Sequence, residues 1–275
     1  MSPLRHIVIP AAGLGSRMRK VSPKTPKELL PVAGRPAIQY AVDEAVSAGI
    51  LSIIIILRED KNDIRRWFED SDFAKRAYPD AGEQIEKNRA CSFTFLYQES
   101  PRGECDALAL AWDALGDAPF AVFYPDNIPA RVGALKIVRR AFEKTGLDTV
   151  ALTRVPDHDS PGVSDSGRVD LALNPEEKDL FYVRRFWPKG PGGFVKRFPA
   201  ELRTCGIYAA LPHYFDFIAK TDSARMPGEL TDGKVRRLML ARGLSFAAAP
   251  LPDPVFDVGN PEGYARCLEA LFLKK

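Results

Sequence analysis

Cysteine and histidine are scarce, with four of the first and three of the second in 275 residues. Cys91, Cys105, Cys205 and Cys267 are widely separated and form neither a CxxC pair nor zinc-ligand spacing. That pattern excludes a disulfide scaffold and a zinc module, and makes free thiols in a reducing cytosol the expectation. His6, His158 and His213 have no ligand-like spacing either, and no Ser/His/Asp order points to a covalent nucleophile. Long apolar runs are missing as well. The aliphatic run Ile53 to Leu57 is far short of a membrane span, and Arg5 to Pro10 is too short for the core of a secretory signal. Neither sign of charge dominates: 39 Lys and Arg face 36 Asp and Glu, a net +3. That balance argues against a nucleic-acid-binding domain with its concentrated basic face. With 45% hydrophobic and 27% charged residues, the expectation is a soluble, cytoplasmic, enzyme-sized chain with a sizeable core.

The first 150 residues alternate strand-like and helix-like segments. His6 to Pro10 reads as a strand that breaks into Ala11-Ala12-Gly13-Leu14-Gly15. Ala37 to Ala48 repeats apolar residues every four positions and stops at Gly49, which predicts a helix. Ser52 to Leu57 is β-branched and apolar on both faces, as a central parallel strand requires. Further strands are expected at Phe93 to Tyr97, Phe120 to Tyr124 and Thr149 to Thr153. Helices are expected from Asp63, at Ala107 to Leu115 and at Gly133 to Lys144, with a weakly periodic polar stretch at Asp70 to Arg89. This rhythm predicts a doubly wound, mainly parallel α/β sheet flanked by helices. The second half is less regular. Strands are expected at Arg168 to Leu173 and Thr204 to Ala209, a loop at Trp187 to Gly193, and helices at Tyr214 to Lys220 and Gly233 to Arg242. Asn260-Pro261 opens a final helix with a cap and a first-position proline. No repeat or low-complexity linker interrupts the chain, so one elaborated domain is expected.

Two short segments carry candidate chemistry. A Gly-rich turn after a buried strand lets backbone N–H groups approach a phosphate, and Gly13-Leu14-Gly15-Ser16-Arg17 fits that description. It lacks the third glycine of the dinucleotide fingerprint and the Gly-Lys-Ser/Thr ending of a P-loop. An isolated GxG is more often a structural turn. Arg17 shifts that balance, because a guanidinium there suits bidentate phosphate binding. Pro26-Lys27-Glu28-Leu29-Leu30-Pro31 then holds a lysine between two prolines, which suggests a fixed rather than mobile ammonium.

Taken together, Ala11 to Met18 followed after seven residues by Pro26 to Pro31 resembles the signature of the sugar-1-phosphate nucleotidyltransferases. The likeness is nearest to the bacterial uridylyl-transferring members, with thymidylyltransferases as near relatives. It is strong before residue 130 and thin between about 155 and 205. The resemblance implies a Rossmann-like nucleotidyltransferase fold with a smaller sugar-binding β extension. It divides 1–275 into a nucleotide-binding part (1–150), a sugar-phosphate-binding part (151–260) and a C-terminal helix (261–275). It implies that Ala12, Gly13 and Gly15 contact the nucleotide through the backbone, that Arg17 and Lys27 hold the triphosphate, and that Gln98 and Gly103 recognise the pyrimidine edge. It makes Asp126, at the end of a buried strand, and Asp257 the two ligands of a Mg²⁺ ion. It gives Lys196 the sugar phosphate, and gives Gly162 and Glu229 the sugar.

The sugar side departs from the family pattern. Pro161 replaces an aromatic residue, and Val195 stands where relatives carry a glutamate that binds sugar hydroxyls. A basic cluster, Arg184, Arg185, Lys189, Lys196 and Arg197, is either a solvated face or a meeting point for an anionic group. The implied activity joins a nucleoside triphosphate, UTP by expectation, to a sugar 1-phosphate with release of pyrophosphate, in a homo-oligomer that meets neither nucleic acid nor membrane. The alternatives are a dTTP-dependent thymidylyltransferase, a weakly catalytic nucleotide-sugar-binding protein, and, from the strand-GxG-helix pattern alone, a nicotinamide-dependent oxidoreductase.

Overall fold

The computed structural model describes residues 3–100, 102–156, 162–223 and 229–272. The first half supplies β1 (His6–Pro10), β2 (Pro31–Val32), β3 (Arg35–Pro36), β4 (Ser52–Leu57), β5 (Ser92–Tyr97), β6 (Phe120–Phe123) and β7 (Asn127–Pro129). The second half adds β8 (Asp148–Arg154), β9 (Val169–Leu173), β10 (Phe181–Phe186), β11 (Leu202–Ala210), β12 (Phe246–Pro250) and β13 (Val255–Asp257). Nine of these form one sheet in the order β5-β4-β1-β6-β11-β8-β12-β10-β9. Within it β10 and β11 run against the other strands. The mainly parallel sheet is therefore present, and the expected β extension takes the form of β9 and β10 hydrogen-bonded onto its end.

Alternation along the central strands explains why helices cover both faces. Ile53, Ile55 and Leu57 of β4 join one apolar cluster, while Ile54 and Ile56 join another. The first cluster is closed by α1 (Ala37–Ser47), α2 (Asn62–Glu69), α3 (Ser71–Ala77), α4 (Gly82–Arg89) and α7 (Ala134–Thr145). The second is closed by α5 (Glu104–Ala109), α6 (Trp112–Leu115), α8 (His213–Ser223) and α9 (Asp232–Ala241). Each β4 isoleucine is at most 3% exposed, and burying one contributes about 1.5–3 kcal/mol. α10 (Pro261–Phe272) packs on β13 and is capped as expected, with Asn260 Oδ1 accepting the Gly263 N–H at 2.9 Å.

Several elements differ from the expectation. The polar stretch 70–89 forms two helices, the first capped by Asp70, whose Oδ1 accepts the Phe73 N–H at 2.9 Å. The helix expected at 107–115 begins earlier, at Glu104, and is split into α5 and α6. Its early start follows from Gly103, whose φ of 134° turns the chain into it, and from Glu104 and Asp106, which suit a first turn. β12 was not foreseen because Ala247-Ala248-Ala249 has helical propensity. Pairing with β8 and β10 decides its conformation instead.

Candidate active site

The turn after β1 is shaped by its glycines. Ala11 N–H donates to Ile56 O at 2.8 Å, so the turn leaves the sheet from a fixed point. Gly15 has φ 62°, a left-handed conformation that an L side chain resists. A Cβ placed on it would lie 3.7 Å from the Lys27 side chain, so the two segments of the bipartite motif are in contact. They are also clamped together. The buried Lys61 Nζ, just before α2, donates to Ala11 O at 2.8 Å and to both carboxylate oxygens of Glu28 at 2.9 Å. Burial pulls the Lys61 pKa down, and the Glu28 carboxylate offsets this only in part.

Four charged residues distant in sequence converge at Gly259. A Cβ built there would lie 2.8 Å from Asp126 Oδ2, 3.1 Å from Asp257 Oδ1 and 3.4 Å from Arg17 Nη2. Lys27 Nζ lies 2.6 Å from Asp126 Oδ2. β6 ends just before Asp126 and β13 ends at Asp257. The β7–β13 pairing, with Asn127 opposite Asp257, brings the two carboxylates together. Asn127 Nδ2 donates to Asp126 Oδ1 at 2.9 Å, and Ser164 Oγ to Asp257 Oδ2 at 3.2 Å. Burial opposes charge on Lys27, yet the carboxylates of Asp126, Glu28 and Asp257 prevail and raise its pKa. Burial likewise opposes charge on Asp126, and Lys27 with Arg17 prevails and lowers its pKa. Among the described residues no three His, Cys, Asp or Glu side chains form a metal cage. Two carboxylates around one point fit a hard divalent cation that takes its other oxygens from phosphate and water.

Arg17, Lys27, Asp126 and Gly259 line a cleft of about 340 Å³. Its other wall holds Gln98, buried at the end of β5. Gln98 Nε2 donates to Asp106 Oδ2 at 2.7 Å and to Gly103 O at 3.4 Å. The amide donors are thus engaged, which leaves Oε1 as the group able to accept a hydrogen bond. Gly103 is pressed against the chain beside Glu229: a Cβ on it would meet Leu230 O at 2.5 Å. A second pocket of about 370 Å³, walled by Trp112 and Phe215, has a single cation in its lining, Arg102, and that one is paired with Asp106.

Ala12, Gly13, Gly15, Arg17, Lys27, Gln98, Gly103, Asp126 and Glu229 all line the cleft, with Asp257 beside Gly259 at its edge. Gly162 and Lys196 are not part of its lining. Gly162 packs against Gly263 at the start of α10 and its carbonyl accepts from Asn260 Nδ2 at 2.9 Å. Lys196 Nζ donates to Pro199 O at 3.5 Å, and Val195 is 76% exposed. Pro161 lies outside the described residues. Lys189, seen in the sequence only within the basic cluster, lines the cleft instead. Lys61 and Glu104 were not singled out at all. Lys61 carries no local signal, whereas Glu104 follows directly on the Gln98-to-Gly103 segment.

The sequence matches the family model described as nucleotidyl transferase over residues 6–272. It is 32% identical to the UTP–glucose-1-phosphate uridylyltransferase of Bacillus subtilis over 272 residues, 96% of this chain and 89% of that protein. The enzyme of the same name from Staphylococcus epidermidis is 30% identical, over 97% of this chain and 91% of that one. Among solved structures, a UTP-bound UGPase from Acinetobacter baumannii superposes with a TM-score of 0.79 at 25% identity, covering 99% of this chain and 94% of that one. A UDP-glucose pyrophosphorylase complexed with UDP-glucose shares the fold with a TM-score of 0.81 at 24% identity, covering 99% and 100% of the two chains.

Proposed function

The chain belongs to the nucleotidyl transferase family, and on that footing we propose that it joins UTP and glucose 1-phosphate into UDP-glucose with release of pyrophosphate. The observation that carries this reading is the meeting of Arg17, Lys27, Asp126 and Asp257 around Gly259 in a cleft that also holds Gln98. A phosphate oxygen of the acceptor attacks the α-phosphorus of UTP, forming one P–O bond as the bond to pyrophosphate breaks. A phosphate monoester is nucleophilic at neutral pH without a base, so the protein's task is to position two polyanions and balance their charge.

Arg17 and Lys27 take the triphosphate, assisted by the N–H groups of the Gly13-to-Gly15 turn. Gln98 Oε1 accepts the N3–H that uracil and thymine carry and cytosine lacks. Asp126 and Asp257 would hold Mg²⁺, which when bound supplies charge neutralisation at the phosphates. Lys189 is the cation that the lining offers the acceptor phosphate besides Arg17 and Lys27, whereas Lys196, which the resemblance implies for that role, is outside the lining. Glu229 completes the sugar side of the reading from within the lining, whereas Gly162, implied for the same role, packs against Gly263 outside it. Within one domain, 1–150 then serves the nucleotide and 151–260 the sugar phosphate, with α10 following them. The four cysteines form no disulfide among the described residues, which supports a cytoplasmic location, and no helix among the described residues is long and apolar enough to cross a membrane. Homo-oligomeric assembly belongs to the same reading.

A grid of UTP, dTTP, CTP and ATP against hexose 1-phosphates, with and without Mg²⁺ and read by pyrophosphate formation, tests the proposal. The expected maximum is UTP with glucose 1-phosphate and Mg²⁺. A maximum at another pair reassigns the substrates, and no pyrophosphate anywhere on the grid overturns the reading.

A further inference from the structure

One half-buried part of the cleft is explained neither by the nucleotide nor by the ion. Glu104 opens α5 directly after Gly103 and lines the cleft with Tyr124 and Glu229. Its Oε1 accepts the Asp232 N–H at 2.8 Å. Asp232 is itself held from all sides. Its Oδ1 accepts from Tyr208 and Tyr214 hydroxyls at 3.0 Å and from Cys105 Sγ at 3.2 Å. Its Oδ2 accepts from the Tyr124 hydroxyl at 3.0 Å and from Arg236 at 3.1 Å. Glu104 and Tyr124 therefore share one rigid support, and neither turns away without breaking a buried hydrogen bond.

Such a carboxyl is costly in a cleft unless a ligand meets it. In the proposed reaction the attack takes place beside Asp126, and the acceptor's ring occupies the same cleft. Tyr124 precedes Asp126 by two residues, and both line the cleft together with Glu104. The phosphate end of the cleft is cationic through Arg17 and Lys27, whereas Glu104 and Glu229 offer carboxyl groups suited to an uncharged polyol. Val195, at the position where the family pattern has a glutamate, is exposed and outside this lining. Resting on the functional reading above, we propose that Glu104 is a specificity-determining residue that hydrogen-bonds a ring hydroxyl of the acceptor hexose 1-phosphate, with Asp232 as its positioning residue. Burial, then the neighbouring Asp232 carboxylate, pushes the Glu104 pKa up to about 8, so near neutral pH the group both donates and accepts.

The test compares wild type, E104Q, E104L and D232N on glucose 1-phosphate and its monodeoxy analogues, with UTP and dUTP as donors. In wild type one deoxy analogue should lose roughly ten- to a hundredfold in kcat/KM. E104L should lose a similar factor on the parent sugar and no longer distinguish that analogue from it, with KM for UTP within twofold of wild type. E104Q should retain the distinction, and D232N should raise KM for the acceptor while leaving KM for UTP in place. An E104L enzyme that discriminates among the deoxy sugars as wild type does overturns the inference, as does one whose only change is in the UTP-to-dUTP ratio, which would assign Glu104 to the ribose. Wild-type turnover with either result leaves the functional reading intact, whereas absence of wild-type turnover on every acceptor removes that reading and this inference with it.

Discussion

Lys27 and Asp126 lie 99 residues apart in the chain and meet at 2.6 Å, the ammonium on Oδ2 of a carboxylate that Arg17 also faces. Each raises or lowers the other's pKa against the pull of burial, so both are charged throughout the neutral range. Lys27 thus joins the phosphate-binding turn to the acidic pair across the cleft.

Replacing Lys27 with Met should lower kcat roughly 10²- to 10³-fold, as removal of one preorganised transition-state contact does. The pair also makes stability depend on pH. Because the Asp126 pKa lies below its ordinary 3.8, its contribution is present above that value and is lost as pH falls through the lowered one. K27M removes the main cause of the lowering, so its acid-unfolding midpoint, followed by circular dichroism, should move to higher pH than wild type's. An unchanged midpoint would separate the pair from the stability of the cleft.

Gln98 should govern the choice of base. Its donors are engaged by Asp106 and Gly103, so the accepting oxygen favours UTP and dTTP over CTP. In Gln98→Leu the preference for UTP over CTP should fall by roughly ten- to a hundredfold, the equivalent of one hydrogen bond to a buried partner. Competition between the two nucleotides in a pyrophosphate-release assay measures it.

Lys61 touches no substrate in this account, yet it ties Ala11 to Glu28 and so sets the distance between the turn and Lys27. Lys61→Met leaves the Glu28 carboxylate buried and unpaired, a loss of about 3–5 kcal/mol. The double variant Lys61→Met with Glu28→Leu should recover part of that stability, seen in the urea midpoint, without recovering KM for UTP. A double variant that restores both would make the clamp purely structural.

The legible part of this protein was local. β1, α1, β4 and the final helix follow from periodicity and capping, and Arg17 and Lys27 stand out because a GxG turn and a proline-bracketed lysine lie within twenty residues of each other. Asp126 was marked by its place at the end of a buried strand. Nothing local joins Asp257 to Asp126: that depends on the β7–β13 pairing, two three-residue strands too short for any pattern. Lys61 acts through a tertiary contact, and β12 is a run of alanines that only its neighbours hold extended. The sugar side was hardest: of the residues that the resemblance implies there, Glu229 lines the cleft but Gly162 and Lys196 stand outside it, while Glu104 and Lys189 line it.

The central claim is that Asp126 and Asp257 serve one ion on one nucleotide tail. The most direct measurement is the Mg²⁺ dependence of pyrophosphate formation in Asp126→Ala, Asp257→Ala and the double variant. If the two share an ion, each single variant should lose roughly 10²-fold or more in kcat and require far more Mg²⁺, and the double should be little worse than either single. Losses that multiply in the double variant, or a single variant with wild-type Mg²⁺ dependence, would contradict it.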